Sequence, residues 1–316
     1  MRKLIYTMFP AKFERYIEVF GGGGWVLFGK PPDPKCMEVY NDFNSNLTCL
    51  FSCVKTRTWA FLRELGFLPI NSRAEFLVIR DFIDKKEIDT EYLKEEVDLA
   101  EHSLSPPDFE EIRSIMLENA EVTDVKRAAA FFKLIRYSYG SGCTSYGCQP
   151  FDVQKTFASI WQASRRLKDT VVEDKDFEAL IRQYDREGAF FYCDPPYYET
   201  EGHYAVVFCK EDHARLRDTL AAAKGKWMVS YNDCEFIRKL YAGYTITAVT
   251  RINNLAQRYD SGCEFPEVII TNYDPDERKR NEPKQLNLFD LQTSDEDEDD
   301  IQYEIAGQVR PESEEV

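Results

Sequence analysis

The sequence predicts an α/β protein, a Rossmann-like sheet interrupted by an inserted helical domain. Three observations carry that expectation. A short apolar strand runs straight into the glycines Gly21-Gly-Gly-Gly24. A second apolar strand ends on Asn41-Asp42, and a helical repeat follows it. After a long helix-only stretch, alternation resumes and leads to an apolar strand that stops at Asp194-Pro195-Pro196-Tyr197. Strands alternating with helices build a sheet covered by helices on its faces.

The elements follow in order. Tyr16-Ile-Glu-Val-Phe20 and Cys36-Met-Glu-Val-Tyr40 are rich in β-branched and aromatic residues and read as strands. From Asn44 to Lys55, Leu47, Leu50, Phe51 and Val54 recur at helical spacing. Between Thr56 and Tyr139 the segments Arg73–Phe82, Tyr92–His102 and Val125–Tyr137 are charged and helical, with no strand pattern. The run from Tyr137 to Pro150 is rich in Gly, Ser and Tyr and reads as a hairpin or flap. Thr170–Val172 is a short strand, Phe177–Tyr184 a helix and Ala189–Cys193 a buried strand. Asp212–Ala223 is helical, Trp227–Ser230 a strand and Glu235–Tyr241 a helix; Tyr244–Val249 and Val268–Asn272 close as antiparallel edge strands. The expected layout is a sheet domain over residues 1–55 and 151–274, a helical insertion with its flap over 56–150, and a tail over 275–316.

The net charge of −16 argues against a nucleic-acid partner only at first sight. From Asp290 onward there are eleven acids and one arginine, −10; the remaining 45 acids and 39 bases leave only −6 before that point. The tail, with its run Asp295–Asp300, is expected to be disordered. No stretch has the apolar length of a membrane span and the N-terminus lacks a signal pattern, so a cytoplasmic monomer is expected. Nine cysteines without paired CxxC spacing, and three histidines, read as free thiols in a reducing compartment and not as a metal site.

The chemistry concentrates in three places. Glycines let a backbone approach a ligand and adopt positive φ, although four in a row also suit a flexible turn, and the spacing is not GxGxxG. Asp42, at the end of the second strand, is placed to accept hydrogen bonds from ribose hydroxyls, with a helix cap as the plainer alternative. Glu18 lies inside a strand, where an unpaired acid is costly, so it is expected to reach a ligand or a basic partner. The prolines of Asp194-Pro195-Pro196-Tyr197 fix the backbone and delete donors, leaving a rigid ledge. There the Asp194 carboxylate and Pro195 carbonyl can accept from an exocyclic amine while Tyr197 stacks on its ring; an ordinary strand-to-turn junction has the same composition.

In this order the three features resemble the Dam-type DNA adenine methyltransferase family. The matching segments are Tyr16–Trp25, Tyr40–Ser45, Phe191–Tyr198, Val229–Asp233 and Glu264–Asn272, covering about residues 1–273. The resemblance implies an S-adenosylmethionine-dependent methyltransferase sheet. Glu18, Phe20, Gly21, Gly22, Gly23, Gly24, Asp42 and Asp194 would hold S-adenosyl-L-methionine, and Asp194, Pro195, Pro196 and Tyr197 would bind a flipped adenine in double-stranded DNA. The helical insertion occupies the family's recognition region. There Lys126, Arg127, Lys133 and Arg136 would meet phosphates and Tyr139 and Tyr146 would meet bases, with Arg251 and Asn253 as further DNA contacts. Alternatives are an adenine methyltransferase acting on RNA and a catalytically weakened DNA-binding remnant. The second is motivated by the family's aromatic-x-Gly-Gly-Lys segment, expected upstream of Met1 and missing from this sequence. Gln285-Leu-Asn-Leu-Phe289 resembles the short peptide that docks on bacterial sliding clamps, or serves as a strap on the protein's own surface.

Overall fold

The computed structural model describes residues 2–66, 72–85, 91–105, 108–119, 124–139, 142–148, 151–198, 208–252 and 264–277. Seven strands form one sheet: β1 (Arg15–Glu18), β2 (Met37–Asn41), β3 (Thr170–Glu173), β4 (Ala189–Cys193), β5 (Lys226–Asn232), β6 (Thr245–Ile252) and β7 (Glu264–Thr271). Their spatial order is β3-β2-β1-β4-β5-β7-β6. The first five pair in parallel, β1 lying between β2 and β4, with Glu18 opposite Tyr40 on one side and Tyr192 on the other. β7 runs antiparallel to both β5 and β6. The expected pair of edge strands is corrected: β6 is the edge and β7 is internal, which its apolar run Val268-Ile-Ile270 explains, since all three side chains are buried.

Parallel strands are covered on both faces, and the residues alternate accordingly. Tyr16, Tyr40, Phe190, Tyr192, Met228 and Ile269 point into one core. Ile17, Val39, Phe191, Cys193, Val229 and Tyr231 point into the other. Helices α10 (Phe177–Tyr184), α11 (Lys210–Ala222) and α12 (Glu235–Leu240) bury apolar residues in the second core. The first core is covered by α1 (Arg2–Thr7), α2 (Trp25–Gly29), α3 (Ser45–Thr56), α4 (Thr58–Leu65), α5 (Arg73–Lys85), α8 (Val125–Tyr137) and α9 (Phe157–Leu167). Between them in sequence, α6 (Glu91–Ser103) packs on α7 (Asp108–Asn119). No helix among the described residues is long and apolar enough to cross a membrane.

One compact unit runs from Met1 to Lys279. Helix α8 packs on α3, α4 and α5 through Ala128, Ala129, Phe131 and Leu134, which are buried in the same cluster as Tyr16 and Tyr40. The flap leaves α8 through an antiparallel bridge, Ser138 to Tyr146, consistent with a hairpin.

A buried ion cluster ties the sheet to this face. Glu38 on β2 accepts from Lys30 Nζ at 2.8 Å and from Arg166 NH2 at 3.0 Å, and the same Arg166 nitrogen donates to the Leu27 carbonyl at 2.8 Å. Three side chains thereby join β2, α2 and α9. Removing one partner of a buried pair leaves an uncompensated charge. Arg166→Ala is expected to cost about 3–5 kcal/mol in urea unfolding, whereas Lys239→Ala, whose Glu235 pair is exposed, leaves the midpoint unchanged.

Candidate active site

The strand order reverses between β1 and β4, and in open α/β sheets ligands bind at the carboxyl ends beside such a reversal. Here those ends are the glycine run after β1, Asp42 after β2 and Asp194 after β4.

The glycine run is shaped by Tyr40. Gly21 donates to the Asn41 carbonyl at 2.7 Å, and a Cβ on Gly21 would lie 2.2 Å from the Tyr40 ring. That ring is pinned because Tyr40 Oη donates to the Gly22 carbonyl at 2.7 Å. Gly22 has φ of 48°, and Gly24, at the start of α2, has φ of 67°. Only glycine adopts such angles without strain. Asp42 closes the loop: Oδ2 accepts the Gly22 N–H and Oδ1 the Asn44 N–H, both at 2.8 Å. Burial pushes the Asp42 carboxyl up, against the pull of those two N–H groups. A carboxylate has about four acceptor positions, so Asp42 keeps acceptor capacity beyond these two bonds.

A cavity of 340 Å³ opens at this point, walled by Phe20, Asp42, Phe177, Asp194, Phe208 and Arg215 among others. Its charged lining is Asp42, Asp176, Asp194 and Asp212 against Lys175 and Arg215, which favours a ligand of net positive charge. The Phe20, Phe177 and Phe208 rings pack with centroids 5.6, 5.7 and 5.8 Å apart and form the apolar wall. Arg215 fixes that wall: it lies 4.0 Å over the Phe177 ring and donates to both oxygens of Asp176, at 2.8 and 2.9 Å. The guanidinium, with the Glu178 N–H, holds the Asp176 carboxyl below its ordinary value.

At the end of β4, Asp194 is exposed to the cleft while Pro195 is buried. Ser230 Oγ on β5 donates to Asp194 Oδ1 at 2.8 Å, and Asn232 Nδ2 donates to the Tyr198 carbonyl at 3.1 Å. The half-buried Tyr197 ring lies 6.4 Å from that of Tyr231.

Glu18 is not among the residues that line the cavity. Its burial is met inside the fold: Tyr16 Oη donates to Oε2 at 2.8 Å and the Leu27 N–H, an orphan donor of the α2 first turn, also reaches the carboxyl. Burial, reinforced by the negative charge of Asp194, pushes Glu18 up to about 8 despite those bonds.

Of the side chains expected to meet DNA, Arg127 is corrected. It is 6 % exposed and donates to the Ile83 carbonyl at 3.2 Å, bracing α8 on α5, so it presents nothing to a phosphate. Lys126 is half-buried, and so is Lys133, whose ammonium burial holds below its ordinary pKa. Arg136 is exposed and lies 4.4 Å over the Phe151 ring. Tyr139 is 47 % exposed, and Tyr146 packs on Phe76 at 5.6 Å. Arg251 is in β6. Asn253, the Gln285–Phe289 segment and the acidic run of the tail lie outside the described residues.

Sequence reasoning gave no role to Asp176, Phe177, Phe208, Arg215 or Ser230. Asp176 did carry a signal, an acid just before the first apolar residue of a helix, where it caps α10 through the Glu178 N–H.

A glycine loop, an acid after β2 and an Asp-Pro-Pro-Tyr ledge sharing one cleft on this sheet define a Rossmann-like methyltransferase. The chain belongs to the D12 class N6 adenine-specific DNA methyltransferase family, whose model matches residues 2–255. It is similar to the type II methyltransferase M.CviBI of Paramecium bursaria Chlorella virus NC1A, 27 % identical over 272 residues, 84 % of this chain and 92 % of the relative. It is also similar to M1.LlaDCHI of Lactococcus lactis subsp. cremoris, 22 % identical over 85 % of this chain and 90 % of that one. A third relative is M.MjaIII of Methanocaldococcus jannaschii, 28 % identical over 82 % of this chain and 89 % of that one.

The Glu18 carboxyl makes stability pH-dependent. Its value is raised from 4.5 in the unfolded chain to about 8, so the folded state binds more protons between those values. Its contribution is therefore complete below 4.5 and is lost as pH rises through about 8. Glu18→Gln is expected to flatten the fall in melting temperature between pH 6 and 9, as followed by circular dichroism.

Proposed function

We propose that this protein methylates the 6-amino group of adenine at specific sites in duplex DNA, taking the methyl group from S-adenosyl-L-methionine. The observation that carries the reading is the shared cavity, which brings Gly22 and Asp42 to the same space as Asp194 and Pro196. The donor fits what the residues offer. It is cationic at sulfur and the lining is acidic; it carries a ribose, for which Asp42 has acceptors; and its flat base suits the Phe177 wall braced by Arg215. When bound it supplies an electrophilic methyl group.

This chain's own residues supply the rest. An aromatic amine is a poor nucleophile because its lone pair is delocalised into the ring. Asp194 and the Pro195 carbonyl accept the two amine hydrogens, which favours a pyramidal nitrogen with its lone pair directed at the methyl carbon. The bound donor would give up its methyl group to the amine nitrogen and keep the C–S electron pair on its sulfur, and Asp194 or water would take the surplus N–H proton. Positioning and electrostatics account for the rate, and no covalent enzyme intermediate is required. Tyr197 stacks on the extruded base, which must leave the duplex for its amine to be reached. The helical region over residues 56–150 serves as the target-recognition part, with Arg136 and Tyr139 as its exposed DNA contacts. Type II relatives support a role in restriction-modification.

Radiolabelled methyl transfer to unmethylated duplex, with RNA of the same sequence as a second arm, tests the proposal. Transfer to duplex should exceed transfer to RNA, and Asp194→Ala should lower kcat about 10²- to 10³-fold. Unchanged activity in that variant refutes the assigned mechanism. Calorimetry tests the donor site separately: Asp42→Ala is expected to weaken S-adenosylmethionine binding about 10-fold or more, the loss of one hydrogen bond to a charged group. No binding by the unaltered chain would favour a DNA-binding remnant.

A further inference from the structure

The Asp-Pro-Pro-Tyr ledge has fewer main-chain donors than an ordinary loop. Pro195 and Pro196 have no N–H, so two successive main-chain donors are missing where the loop leaves β4. Strand β5, next to β4, supplies what is missing. Side chains two apart on a strand share a face, and Met228, Ser230 and Asn232 form such a row. Met228 is buried in the core, Ser230 reaches the Asp194 carboxylate, and Asn232 reaches the Tyr198 carbonyl. The two polar side chains thus grip the ledge at both ends, outside the proline pair.

Resting on the methyltransferase reading, we propose that Ser230 and Asn232 are positioning residues, Ser230 fixing the Asp194 carboxylate toward the target amine and Asn232 fixing the turn that carries Tyr197. Ser230 is suited to this by its surroundings. It is 6 % exposed, and its hydroxyl has one proton to give. The bond to Asp194 Oδ1, 2.8 Å, is shorter than the alternative to the Cys193 carbonyl, 3.3 Å. Behind it, the Tyr192 hydroxyl lies 3.3 Å from Ser230 Oγ. Burial holds that phenol well above its ordinary pKa, so it stays protonated and can donate. Tyr192 to Ser230 to Asp194 is then a chain of aligned hydroxyls ending on the carboxylate, each bond polarising the next. A serine serving only to fill the strand would tolerate alanine without consequence for the reaction.

Single-turnover methyl transfer at saturating donor and duplex separates these roles. Ser230→Ala is expected to slow the transfer step about 10- to 100-fold, the usual effect of misplacing a reacting group by about 1 Å. Dissociation constants for S-adenosylmethionine and duplex should stay within about 2-fold, a change of roughly 0.4 kcal/mol, and the melting temperature should hold. Ser230→Thr, which keeps the hydroxyl, should restore most of the rate. In an Asp194→Ala background Ser230→Ala should cause no further loss, because the residue acts through Asp194. Asn232→Ala should lower the rate while leaving donor affinity intact. A crystal structure of Ser230→Ala should show the Asp194 carboxylate rotated from its place beside β5. An unchanged transfer rate, or an equal loss in the Asp194→Ala background, overturns the proposal. If the unaltered protein methylates no nucleic acid, the functional reading fails by itself, and the crystal structure still decides whether Ser230 holds Asp194.

Discussion

Strand β1 is four residues long, covered on both faces, and paired in parallel on both edges. The functional geometry depends on that constraint. Because Glu18 pairs with Tyr40 and Tyr192 at once, the ends of β1, β2 and β4 are fixed at one level of the sheet. The glycine run begins three residues after β1 ends, and Asp42 and Asp194 directly follow the ends of β2 and β4. A slip of one residue in either pairing would turn Tyr40 and Tyr192 to the opposite face and separate the groups. The Glu38 cluster opposes such a slip on the β2 side, since Lys30 and Arg166 meet its carboxylate only in the present register.

Tyr40 links this register to the site. Its ring fills the volume a side chain at Gly21 would need, and its hydroxyl holds the Gly22 carbonyl. Asp42, two residues on, takes the Gly22 N–H. One strand end therefore grips both polar groups of the same glycine, and the loop is shaped before any ligand arrives. Preorganisation of this kind lowers the cost of binding. The inner contacts of Asp42 set the loop, whereas the cap of helix α3 is Asn44, whose side chain accepts the Asn46 N–H.

Most of the sheet was legible because its strands are short apolar runs closed by Gly, Asp or Pro. Helices α8 and α10 were legible to the residue because Asp124 and Asp176 cap them and their apolar residues keep helical spacing. Helix α2 was not: five residues after a glycine run hold too little periodicity to register. Helix α4 was missed because a single residue, Arg57, separates it from α3, and no glycine or proline marks the break. At the site, the glycines, Asp42 and the ledge were legible from residue types with few other uses. Arg215 and Ser230 were not, because an arginine on an amphipathic helix and a serine in a strand are ordinary until the fold sets them beside Phe177 and Asp194. Arg127 shows the converse, its charge suggesting solvent while its neighbours Ala128, Ala129 and Phe131 place it against α5.

The acids near the cleft raise a question of charge that the buried row on β1, β4 and β5 answers. Glu18 pairs with Tyr192 on β4, whose hydroxyl lies 3.3 Å from Ser230 Oγ, and the negative charge of Asp194 acts on Glu18, so the two carboxylates disfavour ionising together. The desolvated one yields. Glu18 is fully enclosed and its value is raised to about 8, so near neutral pH it is mostly protonated. Asp194 opens to the cleft and accepts the Ser230 hydroxyl. The fold thus encloses one acid of the pair and leaves the other open to the cleft. Loss of the Glu18 proton at higher pH would therefore add a buried negative charge close to Asp194, which is what desolvation and that neighbouring charge together oppose.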